Sequence, residues 1–362
     1  MAGTKGTLAE VAARAGVSIP TVSKVLNGKP DVAAATRAKV LAAIDATGYE
    51  GRRGAYDTSG VIELLIEGVD SAWALELIRG AESASAAREI AMVITSSVHE
   101  DFSIARWIEA VRTRRSAGVI AALPSRGTGI LEALTALQVP VVLVDPPHAE
   151  ASRFPTIRAT NWSGGYEATN RLIELGHRRI GLLAGPSSLD NAVERQEGYA
   201  AALRRADIPY LPELVVEAEF LISAGYDAGG RLLDLPERPT AIFASSDQQA
   251  SGLYEAARER DIRIPSQLSV IGFDDTVLSR HLAPSLTTIH QPLAQMAAEA
   301  VRLVRDSGGS TRGAQRLELP THLVERRSAI ALAGAAAGES LAAPDERPLA
   351  AAGDEPLAAA TD

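Results

Sequence analysis

The chain contains no cysteine. That absence removes disulfides, thiolate metal sites and cysteine nucleophiles together. Histidine is sparse: residues 99, 148, 177, 281, 290 and 322 show no i,i+4 pair and no zinc-ligand spacing. Neither a metal nor a cofactor is expected. No apolar run approaches the ~20 residues of a membrane span, and the start of the chain lacks the apolar segment of a signal peptide. A cytoplasmic protein without membrane contact is expected. A Walker loop, a G-x-S-x-G elbow and a metal cluster are also missing, which excludes the commonest nucleotide-hydrolysing, serine-hydrolase and metalloenzyme chemistries. Aromatics amount to only 4%, so each is scarce enough to ask what it does.

The 362 residues are long enough for two or three lobes with cores, and 46% of them are hydrophobic. Charge is unevenly placed. Residues 1–53 hold every lysine of the chain and carry a net +4, leaving −13 for the remainder. A basic end on an acidic body points to an anionic partner for that end alone, although +4 is small enough to arise by chance.

Residues 7–28 read TLAEVAARAGVSIPTVSKVLNG. Thr7 and Glu10 fit a capping box, and Leu8, Val11 and Ala12 give a first helix one apolar stripe. Gly16 is placed to end it in the left-handed conformation. Ser18 can cap a second helix, with Pro20 tolerated in its first turn. Val22, Val25 and Leu26 then face inward, and a third helix buries Val32, Val40, Leu41 and Ile44. Three short helices with a tight first turn match a helix-turn-helix, whose second helix lies in the major groove; an ordinary helical hairpin has the same outline. The string itself, with TRAKVLAAIDATGY after it, closely resembles the headpiece of the LacI/GalR family of transcriptional regulators. The resemblance implies Ile19, Pro20 and Lys24 at base-reading positions. It implies Thr7, Leu8, Thr21, Ser23 and Asn27 at or near phosphate contacts, with Ser18 beside them. Lys24 suits guanine O6 and N7, whereas Ile19 and Pro20 offer only apolar contacts such as to a thymine methyl.

The linker departs from that family's pattern. GYEGRRGAYDTSGV (48–61) is short, lacks the leucine of the usual hinge helix, and holds Gly51, Gly54 and Gly60, which disfavour a helix. Arg52 and Arg53 are candidates for a narrow minor groove; a solvated linker explains them equally well.

From residue 61 onward, apolar strand-like runs alternate with helical patterns. VIELLI (61–66), IAMVIT (90–95), GVIAAL (118–123), VPVVLVD (139–145), RIGLLAG (179–185), TAIFAS (240–245) and LSVIGFD (268–274) are the runs. The alternation predicts an α/β protein whose continuous apolar strands form parallel sheets covered on both faces. The fold class expected is therefore a three-helix headpiece followed by two doubly wound lobes with a crevice at the carboxyl ends of their strands. The family resemblance covers about residues 7–330, through stretches such as NAVERQEGYAAALRRA, SSDQQASGL and PSLTTIHQPLAQMAAEAV. It implies a core like type I periplasmic sugar-binding proteins. The domains expected are a headpiece over 1–50, a linker over 51–60, a first lobe over about 61–160 and 289–319, and a second over about 161–288 and 320–330. Residues 331–362 hold 13 alanines, three prolines and no aromatic, a composition expected to stay disordered.

Sugar recognition needs carboxylates, an arginine fork and an aromatic face. By the resemblance, Arg195 and Asp274 are ligand contacts, and Phe220 falls where an aromatic is common. Trp73, in the turn after the first strand, Asp247, at a helix start, and Gln291 complete the candidate set. Asp247 equally fits a helix cap, Trp73 and Phe220 equally fit a core, Asp275 fits a loop brace, and His177 reads as structural. Asp274 and Asp275 invite comparison with the carboxylate pair of a glycosidase, but neighbours in an extended segment point opposite ways. A sugar receptor without DNA function is the other rival. The reading is a non-enzymatic regulator of transcription, a repressor of carbohydrate-utilisation genes. It is expected to work as a homodimer on a near-palindromic operator in double-stranded DNA, switched by a mono- or oligosaccharide; a nucleobase is the alternative effector.

Overall fold

The computed structural model describes residues 7–26, 32–47, 60–123, 128–146, 154–306 and 315–332. The headpiece consists of α1 (Leu8–Ala15), α2 (Ile19–Leu26) and α3 (Ala34–Thr47). Its start follows the sequence signals. Thr7 Oγ1 accepts from Glu10 N, and Glu10 Oε2 accepts from Thr7 N at 2.6 Å, closing the capping box. Gly16 ends α1 at φ +66°, in the left-handed region. Ser18 Oγ accepts from Thr21 N at 3.4 Å at the mouth of α2. Val11, Ala12, Ala15, Val22, Val25, Val40 and Ala43 form a core of their own. Leu41, expected inside, is 51% exposed; the buried stripe of α3 runs through Val40, Ala43 and Ile44, which leaves Leu41 on the outer flank.

Two six-stranded sheets follow. The first lobe carries β1 (Val61–Ile66), β2 (Ala91–Ser96), β3 (Gly118–Ala122), β4 (Val141–Val144), β5 (Thr156–Ala159) and β11 (Arg316–Leu319), in the order β11-β5-β4-β3-β1-β2. The second carries β6 (Ile180–Ala184), β7 (Val215–Glu217), β8 (Ala241–Ala244), β9 (Ser269–Asp274), β10 (Thr287–His290) and β12 (His322–Val324), in the order β12-β10-β9-β8-β6-β7. Both are doubly wound sheets of the same order, 2-1-3-4-5 with a late edge strand. Pairing is parallel throughout except at β12, which runs antiparallel to β10. β1, β3 and β4 are almost wholly buried apolar runs, as sheets covered on both faces require.

The exception inside β1 is Glu63, fully buried. Arg114, at the end of α5 (Ile104–Arg114), binds it through two nitrogens at 2.8 and 3.0 Å, and Ser116 donates at 2.5 Å. The charge is thereby paired and hydrogen-bonded, the condition for burying a carboxylate.

The chain passes between lobes beyond β5, beyond β10 and between β11 and β12. β10 belongs to the second sheet through His290, so that lobe extends two residues beyond the expected limit at 288. Thr160 and Thr321 tie two of the crossovers together: Thr321 N donates to Thr160 Oγ1 at 2.9 Å. Helices α7 (Asn161–Glu174) and α8 (Asp190–Arg205) pack in the second lobe with backbones almost touching. A Cβ on Gly165 would stand 2.2 Å from the Arg195 carbonyl oxygen, and one on Gly198 would stand 2.2 Å from that of Trp162. Only glycine fits there, and the crossing fixes where Arg195 sits.

Candidate functional site

The first surface is the outer face of α2. Val22 and Val25 turn inward, which leaves Ile19, Pro20, Ser23 and Lys24 on the opposite side. Ile19 is 47% exposed, Pro20 and Lys24 are exposed, and Ser23 is half-buried. Ser18 and Thr21 share a hydroxyl–hydroxyl bond of 2.8 Å. Thr7 and Leu8 lie at the start of α1, Thr7 as its cap and Leu8 packed against the headpiece core. Asn27, Arg52 and Arg53 fall outside the described residues.

The second is the crevice between the lobes, and Arg195 is its centre. Arg195 is buried on α8. Its Nε donates to Asn161 Oδ1 at 3.0 Å, its Nη1 to the Ser245 carbonyl at 2.5 Å and to Asp274 Oδ1 at 3.5 Å, and its Nη2 to Gln291 Oε1 at 3.2 Å. Its guanidinium lies 3.6 Å from the Phe273 ring centroid and 5.6 Å from that of Phe220. Gln291 passes the connection onward, donating through Nε2 to Asp145 Oδ2 at 2.8 Å. Asp145 stands just past β4 of the first lobe, Gln291 on a crossover, and Arg195 and Asp274 in the second lobe. One hydrogen-bonded chain thus spans the crevice. Arg158 of β5 adds an ion pair across it, at 3.2 Å to Glu194 of α8.

Among the described residues, three buried oxygens near this centre have no hydrogen-bond partner: Asp145 Oδ1, Asn191 Oδ1 and Ser245 Oγ. Asn191 lies one helical turn before Arg195 on α8, and Ser245 follows β8. Leaving such groups unpaired costs about 1–3 kcal/mol each, so a ligand that donates to them is favoured by that much. Two backbones here are also strained: Asp145 at φ +47° and Asp274 at φ +110° occupy a region that non-glycine residues rarely adopt.

Electrostatics agree. Burial raises the Asp274 carboxyl to about 7, partly offset by the Arg195 charge. Burial likewise raises Asp145, against the charges of Arg195 and Arg158. Arg195 is itself lowered by burial and raised by Asp274 and Asp145.

The other sequence candidates separate. Gln291 joins the network and Phe220 borders it, its ring resting on Gly185, where a Cβ would meet it at 2.2 Å. Trp73 packs against the first-lobe core. Asp247 is a correction: as a ligand contact it has no oxygen to spare. Its Oδ2 accepts from Thr276 N at 2.7 Å and Thr276 Oγ1 at 3.0 Å, and its Oδ1 from Thr288 at 2.6 Å. It braces the loop after β9, while Ser246 supplies the cap of the helix Asp247–Glu259. Asp275 turns away from Asp274, to Arg326 at 2.5 Å and His290 at 3.0 Å, so the two form no glycosidase pair. His177 is structural, bridging Thr240 and the Ile330 carbonyl. Sequence reasoning missed Asp145, Asn161, Asn191, Ser245 and Phe273. Asp145 closes the run VPVVLVD, and the rule that ligands gather at strand carboxyl ends marks it.

Comparison with known proteins adds to this geometry. Residues 7–51 match bacterial regulatory proteins of the lacI family, and residues 169–329 match a periplasmic binding protein-like domain. The chain is 33% identical over 332 residues to the HTH-type transcriptional repressor PurR of Photorhabdus laumondii, covering 90% of this chain and 97% of that protein. Among solved structures it is similar to the transcriptional regulator CelR in complex with cellobiose, with a TM-score of 0.69, 31% identity, and coverage of 90% of this chain and 100% of that one. It is also similar to the lac repressor dimer bound to operator and the anti-inducer ONPF, with a TM-score of 0.65 and 27% identity over 91% of this chain and 100% of that one.

Proposed function

The chain belongs to the lacI family of bacterial regulators, and from that premise we propose that it is a repressor of carbohydrate-utilisation genes whose operator binding is governed by a neutral sugar held between the lobes. That it is a DNA-binding transcriptional regulator follows from the family. The sugar is supported by the crevice. The observation that carries it is the set of unpartnered oxygens around Arg195, on Asp145, Asn191 and Ser245. They call for a ligand rich in hydroxyl donors that reaches both lobes. The aromatic surface is one-sided: Phe273 is already covered by the Arg195 guanidinium, which leaves Phe220 as a wall. One face suits the C–H side of a sugar ring, whereas a flat nucleobase gains most between two rings. The similar CelR structure holds cellobiose.

The DNA contacts proposed are Ile19, Pro20 and Lys24 to bases, and Thr7, Leu8, Ser18, Thr21, Ser23 and Asn27 to or beside phosphates, with Arg52 and Arg53 following from the linker. The regulator is cytoplasmic and works as a homodimer. A second copy fits the exposed apolar residues Val69, Leu75, Ile94 and Val98 of the first lobe, where β2 is an unpaired edge, and Leu221, Ile222 and Val277 of the second. The lac repressor structure it resembles is a dimer on its operator. Among the described residues no helix is long and apolar enough to cross a membrane.

A thermal-shift screen tests the effector. A panel of neutral mono- and disaccharides that includes cellobiose is compared with a panel of purines and pyrimidines. A ligand at ~100 times its dissociation constant adds about 2.7 kcal/mol, and a sugar hit lost in Arg195→Ala supports the assignment. Stabilisation by a nucleobase and by no sugar transfers the site to the alternative class.

A further inference from the structure

Among the described headpiece residues two large apolar side chains stand exposed outside the core, Ile19 and Leu41; Leu41 lies on α3, whereas Ile19 stands on the outer face of α2. Ile19 opens α2 and is 47% exposed. The headpiece core is made by Val11, Ala12, Ala15, Val22, Val25, Val40 and Ala43, with Leu8, Val17, Val32 and Ile44 at its margin, and Ile19 is not among them. Beside it stands Pro20, also exposed and without even a backbone N–H to offer. The first turn of α2 therefore presents two adjacent residues that neither donate nor accept through their side chains. In a helix-turn-helix that turn is the part that reaches base edges in the major groove.

The major-groove edges of the pyrimidines differ in two ways. Thymine shows an O4 acceptor and a C5-methyl; cytosine shows an N4 donor and a bare C5. A side chain that can hydrogen-bond reads the group at position 4. Isoleucine and proline cannot, and they gain only by covering a methyl group. Resting on the assignment of α2 as the recognition helix, we propose that Ile19 and Pro20 read the C5-methyl group alone, so that this regulator takes 5-methylcytosine for thymine. Cytosine methylation within the half-site is then a signal to which the operator responds: it converts a weak half-site into a strong one. Lys24 lies more than a turn further along α2 and addresses a different base pair, so its contact is insensitive to this change.

The test begins with the full-length chain and duplexes selected from a randomised pool. Each thymine of the selected half-site is replaced in turn by uracil opposite its adenine, and by cytosine or 5-methylcytosine with guanine placed opposite, and binding is followed by fluorescence anisotropy. At one position per half-site, uracil and cytosine are expected to weaken binding about fourfold, the worth of one methyl returned to water at ~0.8 kcal/mol. 5-Methylcytosine there is expected to stay within about twofold of thymine. Ile19→Ala keeps the wild-type melting temperature, since Ile19 lies outside the core, and shrinks the uracil penalty at that position only. Uracil tolerated at every position overturns the proposal, as does 5-methylcytosine behaving as cytosine, while both results leave the regulator reading intact. Failure to select any duplex removes that reading and this proposal with it.

Discussion

Arg195 and Asp274 are ionisable groups placed where little water reaches, and their contact has consequences for stability as well as for binding. Replacing Arg195 by alanine strips Asp274 and Asp145 of their nearest cation and Phe273 of the guanidinium above it. Breaking a buried pair from one side costs about 3–5 kcal/mol, so Arg195→Ala is expected to melt markedly earlier, and Arg195→Lys to recover part of the loss without the fork that serves Asn161, Ser245 and Gln291 at once. The pH dependence has a definite sign. Asp274 is raised to about 7 in the folded chain, above its ordinary value near 3.8. Between those limits the native state binds more protons than the unfolded one, so stability falls as pH rises and levels off above about 7. Melting temperatures from pH 4 to 8 are expected to decline less steeply in Asp274→Asn than in the wild type; an unchanged slope would show that Asp274 does not carry the dependence. The family resemblance marks Arg195 and Asp274 in the sequence, and the structure brings the two together in the crevice. Asp247 stays ambiguous in sequence because a carboxylate at a helix start looks the same whether it faces a ligand or, as here, Thr276 and Thr288. The strings do not say which way a buried carboxylate turns.

Helices and strands hold these residues at the crevice, and their legibility follows from how they are buried. Most strands found by pattern are continuous apolar runs covered on both faces, such as β1 and β4; β2, equally apolar in sequence, is a partly exposed edge. Those not found are short or polar: β5 reads TIRA, β7 VVE, β10 TTIH, β11 RLEL and β12 HLV. Their places come from pairing at sheet edges and crossovers, which leaves little periodic trace. In the headpiece the caps at Thr7 and Gly16 were plain, while α3 misled at Leu41 because alanines on every side blur its apolar stripe. The close approach of α7 and α8 leaves no sequence signal either, since Gly165 and Gly198 become informative only when seen facing a backbone. Gly198→Ala is expected to force α8 outward and displace Arg195, one turn away. Overpacking of this kind costs about 1–3 kcal/mol. Calorimetry on the variant, followed by a titration with the stabilising sugar, should show both a lower melting temperature and a weaker response, although residue 198 touches no ligand. A lower melting temperature with full sugar affinity would mean that the crossing does not position Arg195.

Function in the proposed regulator couples two surfaces: α2, assigned to the operator, and the crevice, where Asp145, Gln291 and Arg195 link the lobes. A single headpiece binds weakly, and joining two on one operator can raise affinity by roughly 10²–10⁴ without new contacts. Ile94→Lys combined with Leu221→Lys places charge on both exposed apolar patches. Sedimentation is expected to find that variant monomeric and its operator affinity reduced over that range; a variant that stays dimeric moves the interface elsewhere. An effector changes operator affinity only by binding the two lobe arrangements unequally, typically with about 1–3 kcal/mol of coupling. The most direct test is one titration of the selected operator duplex, with and without the stabilising sugar, for wild type, Arg195→Ala and Lys24→Ala. The account predicts that sugar shifts the wild-type affinity about 5–150-fold, that Arg195→Ala binds operator near the wild-type level and ignores sugar, and that Lys24→Ala binds sugar normally but loses base preference. An Arg195→Ala protein that still responds at the wild-type sugar concentration contradicts it, because the switch would then lie outside the crevice that Arg195 organises.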